Sequence, residues 1–188
     1  MPSGRARTIA STTVRRPLAA TLGIAAAAVA LASPPARASP SSTDGACGAS
    51  GAPRSAAAMR CLLNEARRQH GLRALRHSRA LDRAAGLRAA AIRRCQDFSH
   101  TPCGRSFGSV YTASGYSLET HSVAENLAWG TGSLGSAAGT VRSWLASPEH
   151  RQNMLDGGWR KFGVAVVSAP RLDGAQNVTL WVAEFGEP

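Results

Sequence analysis

The chain has 188 residues, with 22 Lys and Arg against 11 Asp and Glu for a formal charge of +11, 44% hydrophobic residues and 5% aromatic. This length bounds it to one ordinary domain, which excludes a TIM barrel or a two-domain dehydrogenase. The apolar content excludes a chain that is disordered throughout.

The first 38 residues read as a leader to be set aside. Arg5, Arg7, Arg15 and Arg16 precede an uncharged run from Leu18 to Ala32, followed by Pro34-Pro35 and Ala36-Arg37-Ala38. A basic start, an apolar middle and small residues at the end make a secretory signal, and cleavage is expected after Ala38. The apolar run is 15 residues long, short of the roughly 20 that cross a bilayer as a helix, and no later apolar stretch would stop transfer. The expected location is therefore secreted or extracellular, with no transmembrane helix after cleavage. The remaining chain keeps a charge of +6. Outside a cell that charge favours acidic partners such as wall polymers or anionic lipid heads. All basic residues but Lys161 are Arg, as coding bias alone would produce. They are scattered without interleaved aromatics, which argues against nucleic acid as a partner.

Four cysteines, Cys47, Cys61, Cys95 and Cys103, all follow the leader, where an oxidising environment lets disulfides persist. Three pairings are open. Cys47 with Cys61 and Cys95 with Cys103 is preferred because each closes a short loop, and the spacings are wrong for structural zinc. Residues 39–54 are Ser, Gly, Ala and Pro with almost no large apolar side chain, so they are expected to be a flexible lead-in to a packed domain over 55–188.

Within that domain, Ser55 to His70 sets Met59, Leu62, Leu63 and Ala66 on one helical face, with Gly71 as a stop. Ser78 caps a second helix to Cys95, striped by Leu81, Ala84, Ala85, Ala91, Ile92 and Cys95. A short helical piece is expected over Ser122 to Ala128, carrying Glu125, and another from Ser136 to Ala146 with Ala137, Val141, Trp144 and Leu145 in register. Ser147-Pro148-Glu149 is a fresh helix start. The period then changes. Phe162 to Val167 and Val178 to Phe185, separated by Pro170, Asp173 and Gly174, predict a β-hairpin with a longish loop. Helices first and strands last, with no βαβ alternation, point to an α+β domain around an antiparallel sheet.

Two glycine motifs lack their context. Gly130 to Gly135 matches GxGxxG, but Glu125 to Trp129 does not read as a buried strand and no βαβ unit surrounds it. Gly104 to Gly108 matches GxSxG, but no strand precedes it. Among the remaining polar residues, His100, Glu125 and His150 are separated by 25 residues each. Only a fold could bring them together.

Taken in order, Asn64 with Arg67, Gly71 and Leu75, Leu81 with Ala84 and Ala85, Phe98-Ser99-His100, Gly115-Tyr116, Ala124-Glu125-Asn126-Leu127-Ala128 with Gly130, Trp144, Ser147 to Leu155, Phe162-Gly163-Val164, Trp181-Val182 and Phe185-Gly186 resemble the bacterial branch of the CAP superfamily. That superfamily holds the cysteine-rich secretory, antigen 5 and pathogenesis-related-one proteins, and the likeness covers about residues 56 to 187. The resemblance implies an α-β-α sandwich with a central antiparallel sheet. It also implies a cavity lined by two histidines and two glutamates, mapping onto His100, His150 and Glu125. The second glutamate does not map: Ser147 stands at its place, and Glu149 is near without being equivalent.

Two neutral imidazoles bind a divalent metal, zinc or calcium being the candidates, while a carboxylate ligates it, orients an imidazole or serves as a base. Three readings follow. The first is a secreted, non-enzymatic binding module whose His100, Glu125 and His150 cavity takes a metal, a lipid or a wall component. The second is a metal-dependent protease or esterase with Glu125 as candidate base. The third makes the trio a buried hydrogen-bond network that serves packing alone.

Overall fold

A computed structural model describes residues 5–9, 13–14, 47 and 53–187. Most of the expected leader and lead-in, including the Ala38 cleavage point, lies outside the described residues. Within that leader, Ala6–Ile9 (β1) and Thr13–Val14 (β2) are extended.

Helix α1 spans Ala56–Gln69; the Ser55 hydroxyl accepts from the Ala58 N–H at 3.1 Å, and Met59, Leu63 and Ala66 are buried. After Arg76–His77 (β3) comes α2, Arg79–Cys95, capped by Ser78 as its sequence predicts. A single turn at Pro102–Gly104 leads to α3, Ser109–Ser114. Then follow β4 (Val123–Gly130), a turn at Gly132–Gly135, α4 (Ala137–Ala146), α5 (Pro148–Leu155), β5 (Lys161–Leu172) and β6 (Ala175–Gly186). The described cysteines are joined Cys47 to Cys61 and Cys95 to Cys103, each with Cα atoms 5.6 Å apart.

The sheet runs β1-β4-β6-β5-β3, with β2 also on β4. Every pairing is antiparallel except the short parallel contact of β3 with β5. Alternation along the strands divides the core. Ala124 and Ala128 of β4 and Trp181, Ala183 and Phe185 of β6 pack against Met59 and Leu63 of α1, Trp144 of α4 and Met154 of α5. On the other face Leu127, Trp129, Leu180 and Val182 meet Ala85, Ala89 and Ile92 of α2. The result is an α+β sandwich with helices on both faces of the sheet. No helix among the described residues is long and apolar enough to cross a membrane.

Two expectations are corrected. Ser122 to Ala128 is not a helical piece: Val123–Gly130 is a strand whose every residue is buried. Covered on both faces, it needs no polar alternation, so its sequence carries no clear period of two. The hairpin loop is not long but two residues, Asp173-Gly174, with φ of +52° and +76°, the left-handed pair that a tight hairpin requires. The strands run past Pro170, where the ladder skips Pro170 and Asn177 and then resumes at Arg171 and Gln176. Proline has no N–H to give such a ladder.

Gly163 shows how closely α2 lies on the sheet. A Cβ added there would sit 2.1 Å from the backbone carbonyl carbon of Leu81. Gly163→Ala should therefore force α2 off β5 and cost about 1–3 kcal/mol or more. Urea unfolding monitored by circular dichroism checks this.

Candidate functional site

The site is built around an ion pair with no access to water. Arg88 on α2 and Glu125 on β4 have side chains 1% and 0% exposed, and Arg88 Nε donates to Glu125 Oε2 at 2.7 Å. Arg88 also donates to the Phe107 carbonyl at 2.7 Å, and its guanidinium lies 5.3 Å from the Phe107 ring centroid. Both charges are buried because the alternation of β4 that sends Leu127 into the α2 face sends Glu125 there too. A buried carboxylate is tolerable only when paired.

The second oxygen of Glu125 takes His100 Nδ1 at 2.6 Å. His100 follows α2 and packs edge-on to Phe107, ring centroids 6.3 Å apart. Since the partner is an ionised carboxylate, Nδ1 carries a hydrogen and donates it. Burial acts to raise the Glu125 carboxyl; the hydrogen bond from His100, the Arg88 charge and a hydrogen bond from Glu184 outweigh it and hold the carboxyl below its ordinary range.

Glu184 stands directly across the ladder from Glu125, fully buried, and is the carboxylate that sequence reasoning missed. Its Oε2 accepts from the Tyr111 hydroxyl of α3. Its Oε1 has no N–H or hydroxyl directed at it among the described residues. Burial, then the charge of Glu125, push this carboxyl well above the ordinary range. Glu184 therefore carries the proton and donates it to Glu125, so the two carboxyls hold one negative charge, neutralised by Arg88. Burial and the neighbouring Glu184 also push the Tyr111 phenol well up.

His150 comes from the other helical layer. It lies in the first turn of α5, almost wholly buried, with Nδ1 2.8 Å from the Ser147 hydroxyl. Two asparagines tie this helix to the sheet: Asn126 Nδ2 donates to the His150 carbonyl at 3.0 Å, and Asn153 Nδ2 donates to Asn126 Oδ1 at 3.0 Å. Burial pulls the His150 ring below the usual imidazole range, with the backbone carbonyl of Ile9 and the charge of Glu149 opposing and the His100 charge assisting. Nε2 of His150 is buried with no hydrogen-bond partner among the described residues. His100 and His150 are thus close enough for their charges to interact, although one follows α2 and the other belongs to α5. Each is tied to β4, His100 through Glu125 and His150 through Asn126.

Glu149 is exposed in the first turn of α5 and bears on His150 only through its charge. Ser147, just before α5, sets its hydroxyl 2.8 Å from Nδ1 of the His150 ring. This Ser–His contact is the local geometry of residues i and i+3 at a helix start and does not by itself make a nucleophile, which would need a base oriented by a third group. Of the glycine motifs, GxSxG has no preceding strand, whereas GxGxxG does follow one, β4, contrary to the expectation above, and precedes α4. The strand is antiparallel to its neighbours, so the βαβ unit is lacking. Its glycines serve packing: a Cβ on Gly130 would lie 2.5 Å from the Leu134 carbonyl oxygen, and the Gly135 carbonyl accepts from Trp181 Nε1 at 3.0 Å.

As to metal, no three His, Cys, Asp or Glu among the described residues assemble into a group that could hold an ion. The carboxylate arm does not fit the role of ligand, because each oxygen of Glu125 already has a donor and Arg88 has supplied the cation. Calcium, which takes six to eight oxygen ligands, has no such set here. What the site offers a softer ion is imidazole nitrogen alone.

Glu125→Gln leaves Arg88 buried without its counter-charge and should cost about 3–5 kcal/mol of stability. Glu184→Gln behaves differently. A carboxyl whose folded value is raised contributes stability that is present below its unfolded value near 4.5 and is lost as pH rises towards the folded value. The amide cannot ionise, so Glu184→Gln should flatten the fall in stability on the alkaline side of 4.5 while leaving the acid side, governed by Glu125, in place. Thermal melts from about pH 2 to 10 on both variants test the pair.

Comparison with known proteins follows the same lines. The family model for the CAP, cysteine-rich secretory protein family matches residues 62–185. An extracellular protein containing an SCP domain from Bacillus anthracis superposes with a TM-score of 0.57 at 21% identity, over 69% of this chain and 39% of that one. An outer surface protein from Borrelia burgdorferi gives 0.55 at 21% identity, over 69% of this chain and 89% of that one. The chain thus spans about two fifths of the Bacillus protein, and at these identities the likeness is one of fold. No curated protein matches. With the family model running through α1, the Glu125 strand, the His150 helix and the closing hairpin, the chain belongs to the CAP family of cysteine-rich secretory proteins.

Proposed function

We propose that this CAP domain is a secreted, extracellular binding module whose ligand meets the imidazoles of His100 and His150 beside β4. The observation that carries this reading is the buried Nε2 of His150, which among the described residues has no hydrogen-bond partner beyond the approach of the Ile9 carbonyl, a group of the expected leader. A buried polar atom without a hydrogen bond is costly, and its natural complement is a ligand group that ends on it. The resemblance to extracellular and outer-surface proteins supports the location, as does the leader.

The same geometry disfavours the hydrolase alternative. A general base needs a lone pair within reach of a proton on substrate or water. Glu125 spends one oxygen on Arg88 and the other on His100, so it acts as an orienter. Of the three ligand classes that the site residues admit, metal is the one with a simple probe, and zinc is the ion suited to nitrogen donors. His100 and His150 would hold it, and it would supply a Lewis-acid position for a donor atom of a lipid head or wall component.

Calorimetric titration of zinc into the exported protein at pH 7.5 is expected to give one saturable, weak site, lost in both His100→Ala and His150→Ala with the fold retained by circular dichroism. Heat that survives His150→Ala, or a variant that loses only melting temperature, would overturn the reading and leave the histidines a packing network.

A further inference from the structure

The outer edge of β4 carries an extended segment. β1 pairs with it in the register Ala6 to Gly130, Arg7 to Trp129, Thr8 to Ala128 and Ile9 to Leu127, and β2 continues at Thr13 to Ala124 and Val14 to Val123. Arg5 opens the ladder: the Thr131 N–H donates to the Arg5 carbonyl at 2.9 Å, and the Arg5 N–H to Thr131 Oγ1 at 2.9 Å. Because bonded pairs alternate along an antiparallel ladder, the N–H groups of Arg7 and Ile9 also face β4.

Side-chain contacts come from the same alternate positions. Arg7 pairs with Asp173 at the tip of the β5–β6 hairpin, and its guanidinium stands 5.9 Å from the Phe98 ring centroid. Ile9 packs on the apolar cluster of Leu127, Trp129 and Val182. The Ile9 carbonyl reaches the His150 ring. This strand belongs to the segment that the sequence reads as a cleavable leader. Its departure would leave a long edge of β4 unpaired, with an acidic and aromatic socket at one end, an apolar shelf in the middle and an imidazole at the other. An edge of that kind is a template for another strand.

We propose that the β4 edge is a peptide-acceptor site: it takes an extended polypeptide by strand addition, preferring a basic residue followed two positions later by an aliphatic one, and the leader strand is its placeholder. Main-chain pairing supplies the affinity and the alternate side chains the selectivity. The basic position is read by Asp173 and Phe98, the aliphatic one by Leu127 and its neighbours. The inference stands on the strand ladder and does not depend on a metal or on any ligand of the imidazoles.

The test uses the full chain with the leader strand disrupted by Arg7→Pro and, as a second acceptor, by Ile9→Pro. Each removes an N–H that faces β4. Retention of the fold is checked by near-ultraviolet circular dichroism. The probe is a fluorescent peptide of residues 5–14 read by anisotropy. Saturable binding to either folded variant and none to the wild-type full chain is expected. Binding should weaken about tenfold or more when the peptide is N-methylated at Arg7, since the ladder bond goes and a buried carbonyl is left without a donor. It should weaken several-fold when the acceptor also carries Asp173→Asn. Three results would overturn the proposal: no binding to a folded variant, equal binding of the N-methylated peptide, or concentration-dependent dimerisation that excludes the peptide, which would make the edge's partner a second copy of the chain.

Discussion

The buried ion pair of Arg88 and Glu125 is the constraint on which the rest of this structure depends. Neither charge is reachable by water, so each is stable only while the other is in place. That condition binds α2 to β4 at one point, and several consequences run outward from it. Glu125 can remain ionised, which gives His100 a carboxylate to lean on. Glu184, directly opposite, cannot also be ionised and so becomes the proton donor of the pair. Phe107, whose carbonyl and ring both meet Arg88, is held as the wall behind His100. The guanidinium thus helps keep Glu125 ionised, and the Glu125 charge in turn acts with burial to raise Glu184.

A second constraint comes from Asn126, next in sequence and so on the opposite face. By donating to the His150 carbonyl and accepting from Asn153, it seats α5 on the same strand. Adjacent residues of β4 thus position the two histidines, Glu125 from one helical layer and Asn126 from the other. Neighbouring side chains of a strand point to opposite faces, so one short strand can collect groups from both layers. The edge strand β1 lies beside the second of these histidines, its Ile9 carbonyl reaching His150. Binding at the edge and binding at the imidazoles are therefore neighbouring events on one strand, built from different atoms.

Reading the sequence succeeded where local rules govern and failed where burial overrides them. The two capped helices follow from Ser55 and Ser78 and from stripes of helical period. Ser122 to Ala128 misled because alanines on both sides of Glu125 and Asn126 suit a short helix as well as a strand buried on two faces. Glu184 was missed because it sits in a run of apolar residues, Trp181 to Phe185, with no motif around it. Its one sequence-level signal was an acid at an inward position of a predicted strand. Arg88 was hidden among the many arginines of α2, most of which face solvent. Its difference from them is a matter of where α2 lies on the sheet.

What the sequence by itself determined is the class of molecule: an α+β domain, its helix caps, its closing hairpin and its family. These are encoded in composition, in period and in an ordered set of short motifs, all local in the chain. Only the tertiary structure decided what Glu125 does, which carboxyl holds the proton, what the His150 ring meets, and what lies along the β4 edge. Each of those depends on atoms brought together across tens of residues and on the low dielectric they share, where pairing and burial, not residue type, set charge and hydrogen bonding.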